Sequence, residues 1–257
     1  MESISFDMSL PHRQAEIVSK LKQEGRVTVT DLVEELQVSD ETVRRDLKEL
    51  EALGLVRRIH GGAITPKSDQ EEPLLARERF NMREKARIGQ LASRMVSDGM
   101  SVFLDTGTTT LALARRLTAQ NLRVTTNSLD IALALRDKGA QVEVTPGTLR
   151  ANDNALIGIE TLEYTRRHYY DVAFMGIAAC TLAQGWTDYA QEESALRRIL
   201  LGQARQSVLV VDHSKFGRQA YVRTFSLSDV NCVICDKRPP RALQEAFDAG
   251  NVRVVFE

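Results

Sequence analysis

From Arg83 to the end of the chain, seven apolar bursts of five to eight residues alternate with longer stretches of helical character. The bursts are SVFLD, LRVTT, AQVEVT, YDVAFMGI, QSVLVVD, VNCVICD and NVRVVF; between them lie segments such as REKARIGQLASRMVS, TLALARRL, SLDIALALRDK and EESALRRILLGQA. Short runs rich in Val and Ile are strands buried on both faces, and helices between them supply parallel crossovers. The expected fold of residues 83–257 is therefore α/β with a mainly parallel sheet. In such sheets ligands bind beyond the carboxyl ends of the strands, so the residues just after each burst are the ones to read.

The first burst runs into Asp105-Thr106-Gly107-Thr108-Thr109-Thr110. A small, hydroxyl-rich loop at a helix start offers backbone N–H groups, hydroxyls and a favourable dipole to an anion, phosphate above all. Later strand ends add Thr126 and Asn127, then Gly147 and Arg150, then Gly176, then Lys215. Arg150 and Lys215 suit a phosphate, while Asp105, Asn127 and Glu193 suit sugar hydroxyls.

Residues 1–65 follow a different pattern. Ala15, Ile17, Val18 and Leu21 share one helical face, and Gly25 suits its stop. A second helix, with Thr30 as its expected cap, carries Leu32, Val33 and Leu36 inward. After Gln37-Val38, Ser39 caps a third helix, giving a helix-turn-helix over about residues 27–46. At 100° per residue, Val43, Leu47 and Leu50 form its buried side; Arg45 and Lys48 face away, with Thr42 and Arg44 flanking. Leu55–Ile59, His60-Gly61-Gly62 and Ala63–Thr65 then read as a hairpin. That hairpin is a wing, which places Arg57, Arg58 and His60 toward a nucleic-acid backbone or minor groove.

Net charge does not advertise such a partner. Residues 1–65 hold nine Lys or Arg against twelve Asp or Glu, so DNA binding has to rest on where the charges point. The competing reading of the third helix is a solvated face on which its arginines pair with Glu41, Asp46 and Glu49. Residues 66–82, PKSDQEEPLLARERFNM, hold two prolines and dense charge without periodicity and read as a linker, closed at most by a short helix.

Residues 27–62, VTVTDLVEELQVSDETVRRDLKELEALGLVRRIHGG, resemble the winged helix-turn-helix of DeoR-family bacterial transcriptional regulators. The resemblance implies that Ser39, Thr42, Arg44, Arg45, Lys48, Arg57, Arg58 and His60 contact operator DNA. DxGTTT, TTNS and DHSKFGR resemble the same family's carboxy-terminal sensor. That implies a fold related to ribose-phosphate isomerase, a phosphorylated sugar or polyol as effector, and a homodimer or homotetramer acting as a repressor in carbohydrate metabolism. The phosphate is carried over to Asp105 through Thr109, with Asn127, Arg150 and Lys215 as sugar contacts. Pro146-Gly147 and Ala179 stand where the family often has glycines, narrowing or stiffening the pocket rim.

No run of eighteen apolar residues and no signal-like start is present, so a cytoplasmic protein without a membrane partner is expected. Three cysteines build no disulfide framework; Cys232 and Cys235, three apart on a strand, should face opposite sides as core residues. No cofactor, metal or catalytic residue is expected. The alternative is a sugar-phosphate isomerase with an accessory domain, drawing its base from Asp105, Asp171, Glu193 or Lys215.

Overall fold

The computed structural model describes residues 11–52, 55–64 and 74–257. The chain divides into two compact units, Met1–Lys67 and Ser68–Glu257.

In the first unit, α1 (His12–Glu24) ends at Gly25 with φ 73°, and β1 (Arg26–Thr28) leads into α2 (Val29–Leu36). The cap of α2 is Thr28, whose Oγ1 accepts from Asp31 N at 3.1 Å, not Thr30. Both threonines precede acidic residues, but β1 pairs with the wing and so fixes the extended residue at Thr28. Gln37, at φ 52°, turns the chain into α3 (Asp40–Ala52), whose first turn is capped by Ser39 Oγ accepting from Thr42 N at 3.3 Å. β2 (Arg57–Ile59) and β3 (Gly62–Ile64) form the wing, with β1 as an unforeseen third strand in the order β1-β3-β2. Gly62 explains the second glycine of His-Gly-Gly, since a Cβ there would lie 2.1 Å from the Val27 carbonyl oxygen. Ile17, Leu21, Leu32, Val43, Leu47 and Leu50, each at most 1% exposed, make up the core. Thr65 and the expected linker as far as residue 73 lie outside the described residues.

The second unit opens with α4 (Leu74–Arg79) and α5 (Met82–Ser93). There follow β4 (Ser101–Leu104), α6 (Thr108–Ala114), β5 (Arg123–Thr126), α7 (Leu129–Leu135) and β6 (Gln141–Val144). A hairpin of β7 (Thr148–Arg150) and β8 (Ala155–Ile157) precedes α8 (Ile159–Arg166) and β9 (Tyr170–Met175). Next come β10 (Ala179–Thr181), β11 (Gly185–Asp188), α9 (Gln191–Gln203), β12 (Ala204–Val211), β13 (Val222–Phe225), β14 (Cys232–Cys235), α10 (Arg241–Ala249) and β15 (Arg253–Phe256).

The seven bursts are seven strands of one sheet, ordered β15-β14-β12-β9-β4-β5-β6, and every neighbouring pair is parallel. Alternate residues of each central strand enter different cores. Val102, Phe174, Val210 and Ile234 pack with α5, α6 and α7 on one side, while Phe103, Ala173, Leu209 and Val233 pack with α9 and α10 on the other. Cys232 and Cys235 divide in the same way, as the strand period requires. A small antiparallel sheet, β10-β11-β13, was not legible in the sequence. The winding starts at β4, proceeds outward to β6, then returns to β9 and runs to β15. The reversal falls between β4 and β9, and a crevice beyond the strand ends at such a switch point is where α/β sheets take ligands.

Candidate DNA-binding surface and effector crevice

The outward face of α3 is built by what lies beneath it. Asp46, 2% exposed, turns inward and accepts from Arg13 Nε at 2.5 Å, Arg13 Nη2 at 3.1 Å and Gln14 Nε2 at 3.4 Å. Gln14 also holds Glu49 at 2.6 Å. Burial raises the Asp46 carboxyl, but the Arg13 and Gln14 hydrogen bonds outweigh it and hold the group below its ordinary range. Two carboxylates that could have neutralised the arginines of α3 are thus tied to α1. Arg44 pairs with Asp40 and Arg58 with Glu51, whereas Arg45 and Lys48 have no hydrogen bond or ion pair among the described residues. The pairing of the arginines with Glu41, Asp46 and Glu49 is therefore not the arrangement adopted. Glu41, Thr42, Arg44, Arg45, Lys48 and Arg58 line one open groove, four cations to one acid. Ser39 bonds Thr42 side chain to side chain at 2.9 Å, and Arg57 and His60 are exposed on the wing.

At the switch point of the α/β unit the charges are buried. Asp105, fully buried at the end of β4, accepts from Arg197 Nε of α9 at 2.7 Å. Arg197 also holds Asp188 at the end of β11, and Glu193 one turn back on α9 at 3.3 Å. Glu193 in turn holds Arg150, which pairs with Asp153 across the β7–β8 turn at 2.8 Å. Burial pushes the Asp105 carboxyl up to about 6 against the pull of Arg197, and burial raises Asp188 as well. Arg150 and Arg197 are both raised, their own burial being outweighed by the carboxylates around them.

Asn127 Oδ1 accepts from Thr106 N at 2.9 Å, clamping the β4 loop to the end of β5. Thr126 is spent within the sheet, donating to Leu104 O at 2.6 Å and accepting from Ser128 N at 3.1 Å. Gly147, at φ 146°, answers to packing, because a Cβ there would lie 2.4 Å from Thr161 Oγ1 and 2.6 Å from Ile157 O. At Gly176 a Cβ would stand 3.5 Å from Thr106 O and 4.0 Å from Arg197 Nη2, which puts the end of β9 against the β4 loop. Asp105, Thr106, Asn127, Arg150, Gly176 and Glu193 are thus brought together, with Thr108 and Thr109 opening α6 beside them. Lys215 belongs to another cluster, at the end of β12, where it lowers the Asp212 carboxyl. Three buried polar atoms by the switch point, Asp105 Oδ1, Thr106 Oγ1 and Ser194 Oγ, have no hydrogen-bond partner among the described residues; a bound polar molecule would satisfy such atoms.

Sequence reasoning missed Arg197, Asp188 and Asp153. Arg197 lies in ALRRIL, where nothing marks one arginine as inward; its four-residue offset from Glu193, already read as a sugar contact, was the only signal.

A winged helix-turn-helix with outward cations, in one chain with a doubly wound α/β unit whose switch point holds unsatisfied polar atoms, defines a DNA-binding transcriptional regulator with a ligand sensor. Comparison with known proteins agrees. The DeoR-like helix-turn-helix domain matches residues 13–69, and the DeoR C terminal sensor domain matches residues 80–237. The chain belongs to the DeoR family.

It is 34% identical over 249 residues to the glycerol-3-phosphate regulon repressor of Escherichia coli (strain K12), covering 96% of this chain and 99% of that one. It is 32% identical over 245 residues to the HTH-type transcriptional repressor GlcR of Bacillus subtilis (strain 168), covering 95% of each. The lactose phosphotransferase system repressor of Streptococcus mutans serotype c is 32% identical over 244 residues, covering 93% and 96%. Solved structures are more distant. The sorbitol operon regulator SorC from Klebsiella pneumoniae has a TM-score of 0.41 at 14% identity, covering 93% of this chain and 97% of that one. Ribose 5-phosphate isomerase A from Methanocaldococcus jannaschii has a TM-score of 0.38 at 17% identity, covering 53% and 55%. No helix among the described residues is long and apolar enough to cross a membrane.

Proposed function

We propose that this regulator is a cytoplasmic, homo-oligomeric repressor of a sugar or polyol operon, and that a phosphorylated sugar or polyol releases it from its operator. The observation that carries the DNA half is the groove of α3 and wing cations, in which Arg45 and Lys48 have no partner among the described residues. The N-terminal half of α3 enters the major groove, and two-fold pairing of subunits sets half-sites about 34 Å apart. Thr42, Arg44 and Arg45 read base edges or phosphates; Lys48, Arg57, Arg58 and His60 hold the backbone; Ser39 caps the helix that presents them.

The effector lies across the carboxyl ends of β4, β9 and β12. Its phosphate engages the backbone and hydroxyls of Thr106–Thr109, its hydroxyls meet the side of Glu193, Arg150 and the unpartnered atoms, and its far end reaches Lys215 after β12. Asp105 holds Arg197 through Oδ2, which leaves its unpartnered Oδ1 to the ligand. Support for a sugar phosphate comes from the relatives, whose names concern glycerol 3-phosphate and the lactose phosphotransferase system.

Isomerisation would ask for an available carboxylate base, but Asp105, Asp188 and Glu193 are each engaged by Arg197, and the relatives are regulators.

The test is thermal denaturation with phosphorylated sugars and polyols beside their unphosphorylated counterparts. A true effector at a hundred times its Kd stabilises by about 2.7 kcal/mol and weakens operator binding. Equal shifts with and without the phosphate would overturn the reading.

A further inference from the structure

The β12 end of the crevice is fastened to the first elements of the α/β unit. Asp212, 1% exposed, follows β12 and orders the turn His213–Lys215, its Oδ1 accepting from Ser214 N at 3.0 Å and Ser214 Oγ at 2.5 Å. The same oxygen accepts from Asn81 Nδ2 at 2.8 Å, across 131 residues of chain. Asn81, at φ 52°, is the joint between α4 and α5. One turn further on, the buried Lys85 donates to the carbonyl oxygens of Phe80, at 2.8 Å, and Arg77, the carbonyls that end α4. On its other side α4 is held by Glu78, paired with Arg115 at 2.9 Å.

A buried ammonium carries a desolvation cost that an apolar side chain in its place would avoid. Burial lowers Lys85 to about 8, with Asp212 pulling the other way and Lys215 adding to the fall. What the ammonium contributes in return is a fixed end to α4, a six-residue helix too short to persist unaided. α4 is also the first described element after residues 65–73, the segment through which the chain comes from the wing.

We propose that Asn81 and Lys85 are positioning residues that pass effector binding to the segment leading to the DNA-binding unit. A ligand that engages Ser214 and Lys215 draws Asp212 away from Asn81; the α4–α5 joint loosens, and operator affinity falls. This rests on placing the effector crevice at the end of β12, as proposed above.

The test uses full-length Asn81→Ala and Lys85→Met, a duplex selected by the parent protein from a random library, and glycerol 3-phosphate, ribose 5-phosphate and glucose 6-phosphate as probes. Without ligand, both variants should exchange amide hydrogens over residues 74–82 about tenfold faster than the parent, with β4 and β9 unchanged. Both should bind the duplex about fivefold more weakly at an unaltered melting temperature. A packing role alone would leave duplex affinity untouched. In the parent, a binding probe should speed exchange over the same residues, and in Asn81→Ala it should bind equally well yet shift duplex affinity by less than about twofold. Unchanged exchange over 74–82, or unchanged duplex affinity in the ligand-free variants, overturns the proposal. If no probe binds the parent, the effector reading fails on its own account, and the ligand-free arms still decide whether Asn81 and Lys85 control operator affinity.

Discussion

On α3, Arg45 and Lys48 stand in solvent without a partner among the described residues, whereas Arg197 of α9 is 4% exposed and touches three carboxylates. Both regions are rich in arginine and acid, and they differ in where the acids go. Beneath α3, Arg13 and Gln14 remove Asp46 and Glu49 from the outer face, so Arg45 and Lys48 would meet a phosphate with no ion pair among the described residues to give up. Around Arg197 every charge already has a partner, so a ligand placed there, as proposed, would take up the unpartnered atoms and could reach the charges only by exchanging their partners. A DNA surface gains from available charge, which steers association and is screened by salt; a sensor gains from partners that can be exchanged.

The largest effect should come from the buried side. Arg197→Met leaves Asp105, Asp188 and Glu193 facing one another, and should cost about 3–5 kcal/mol in chemical denaturation of the α/β unit; a loss under about 1 kcal/mol would mean that the network is not what holds α9 to β4. Next is Arg45→Ala, expected to weaken operator binding by about 1–3 kcal/mol while melting stays within the range of ordinary surface changes. A matching loss of stability would show that Arg45 is structural and would erase the contrast drawn here. Asp46→Ala should destabilise the N-terminal unit by about 1–3 kcal/mol. Asp40→Ala should leave stability nearly unchanged and tighten DNA binding, since it frees Arg44; weaker binding would mean that the Asp40 pair presents Arg44 rather than occupying it.

The smallest effect is the response to acid, and the two carboxylates should differ in sign. Asp105 is raised in the folded protein, so its contribution is full below its ordinary value near 3.8 and is lost as pH rises through about 6. Asp46 is lowered, so its contribution is present above the ordinary value and lost as pH falls through the folded one. Asp105→Asn should therefore gain on the parent between pH 4 and pH 7, and Asp46→Asn should lose its deficit only in strong acid. Parallel profiles for the two variants would refute the opposite environments assigned to them.

Much of this molecule is readable from the chain because periodicity and local chemistry carry it. Val43, Leu47 and Leu50 announce the buried side of α3, and the Val- and Ile-rich bursts announce all seven strands of the large sheet. What escapes is whatever depends on pairing at long range. β1, β10, β11 and β13 read RVT, ACT, GWTD and VRTF, without the Val- and Ile-rich runs of the large sheet, and exist only because a partner strand completes them. Thr28 rather than Thr30 caps α2 for the same reason. The strand-end residues were findable one by one, but Arg197 and Asp188, nine residues apart and in contact, become neighbours only when α9 folds back over β11. Asn81, in an unpatterned segment, gave no signal at all.

The two cysteines of β14 lead to something practical. Cys232 faces one layer of helices and Cys235 the other, Cys180 is buried too, and all three are free. Burial pushes Cys232 to about 11 and Cys180 and Cys235 to about 12, so the native thiols are unreactive at neutral pH. Alkylation then reports only on openings of the protein, and mass spectrometry of each cysteine times the exposure of one side of the sheet independently of the other. The chain carries its own pair of clocks for how its layers come apart.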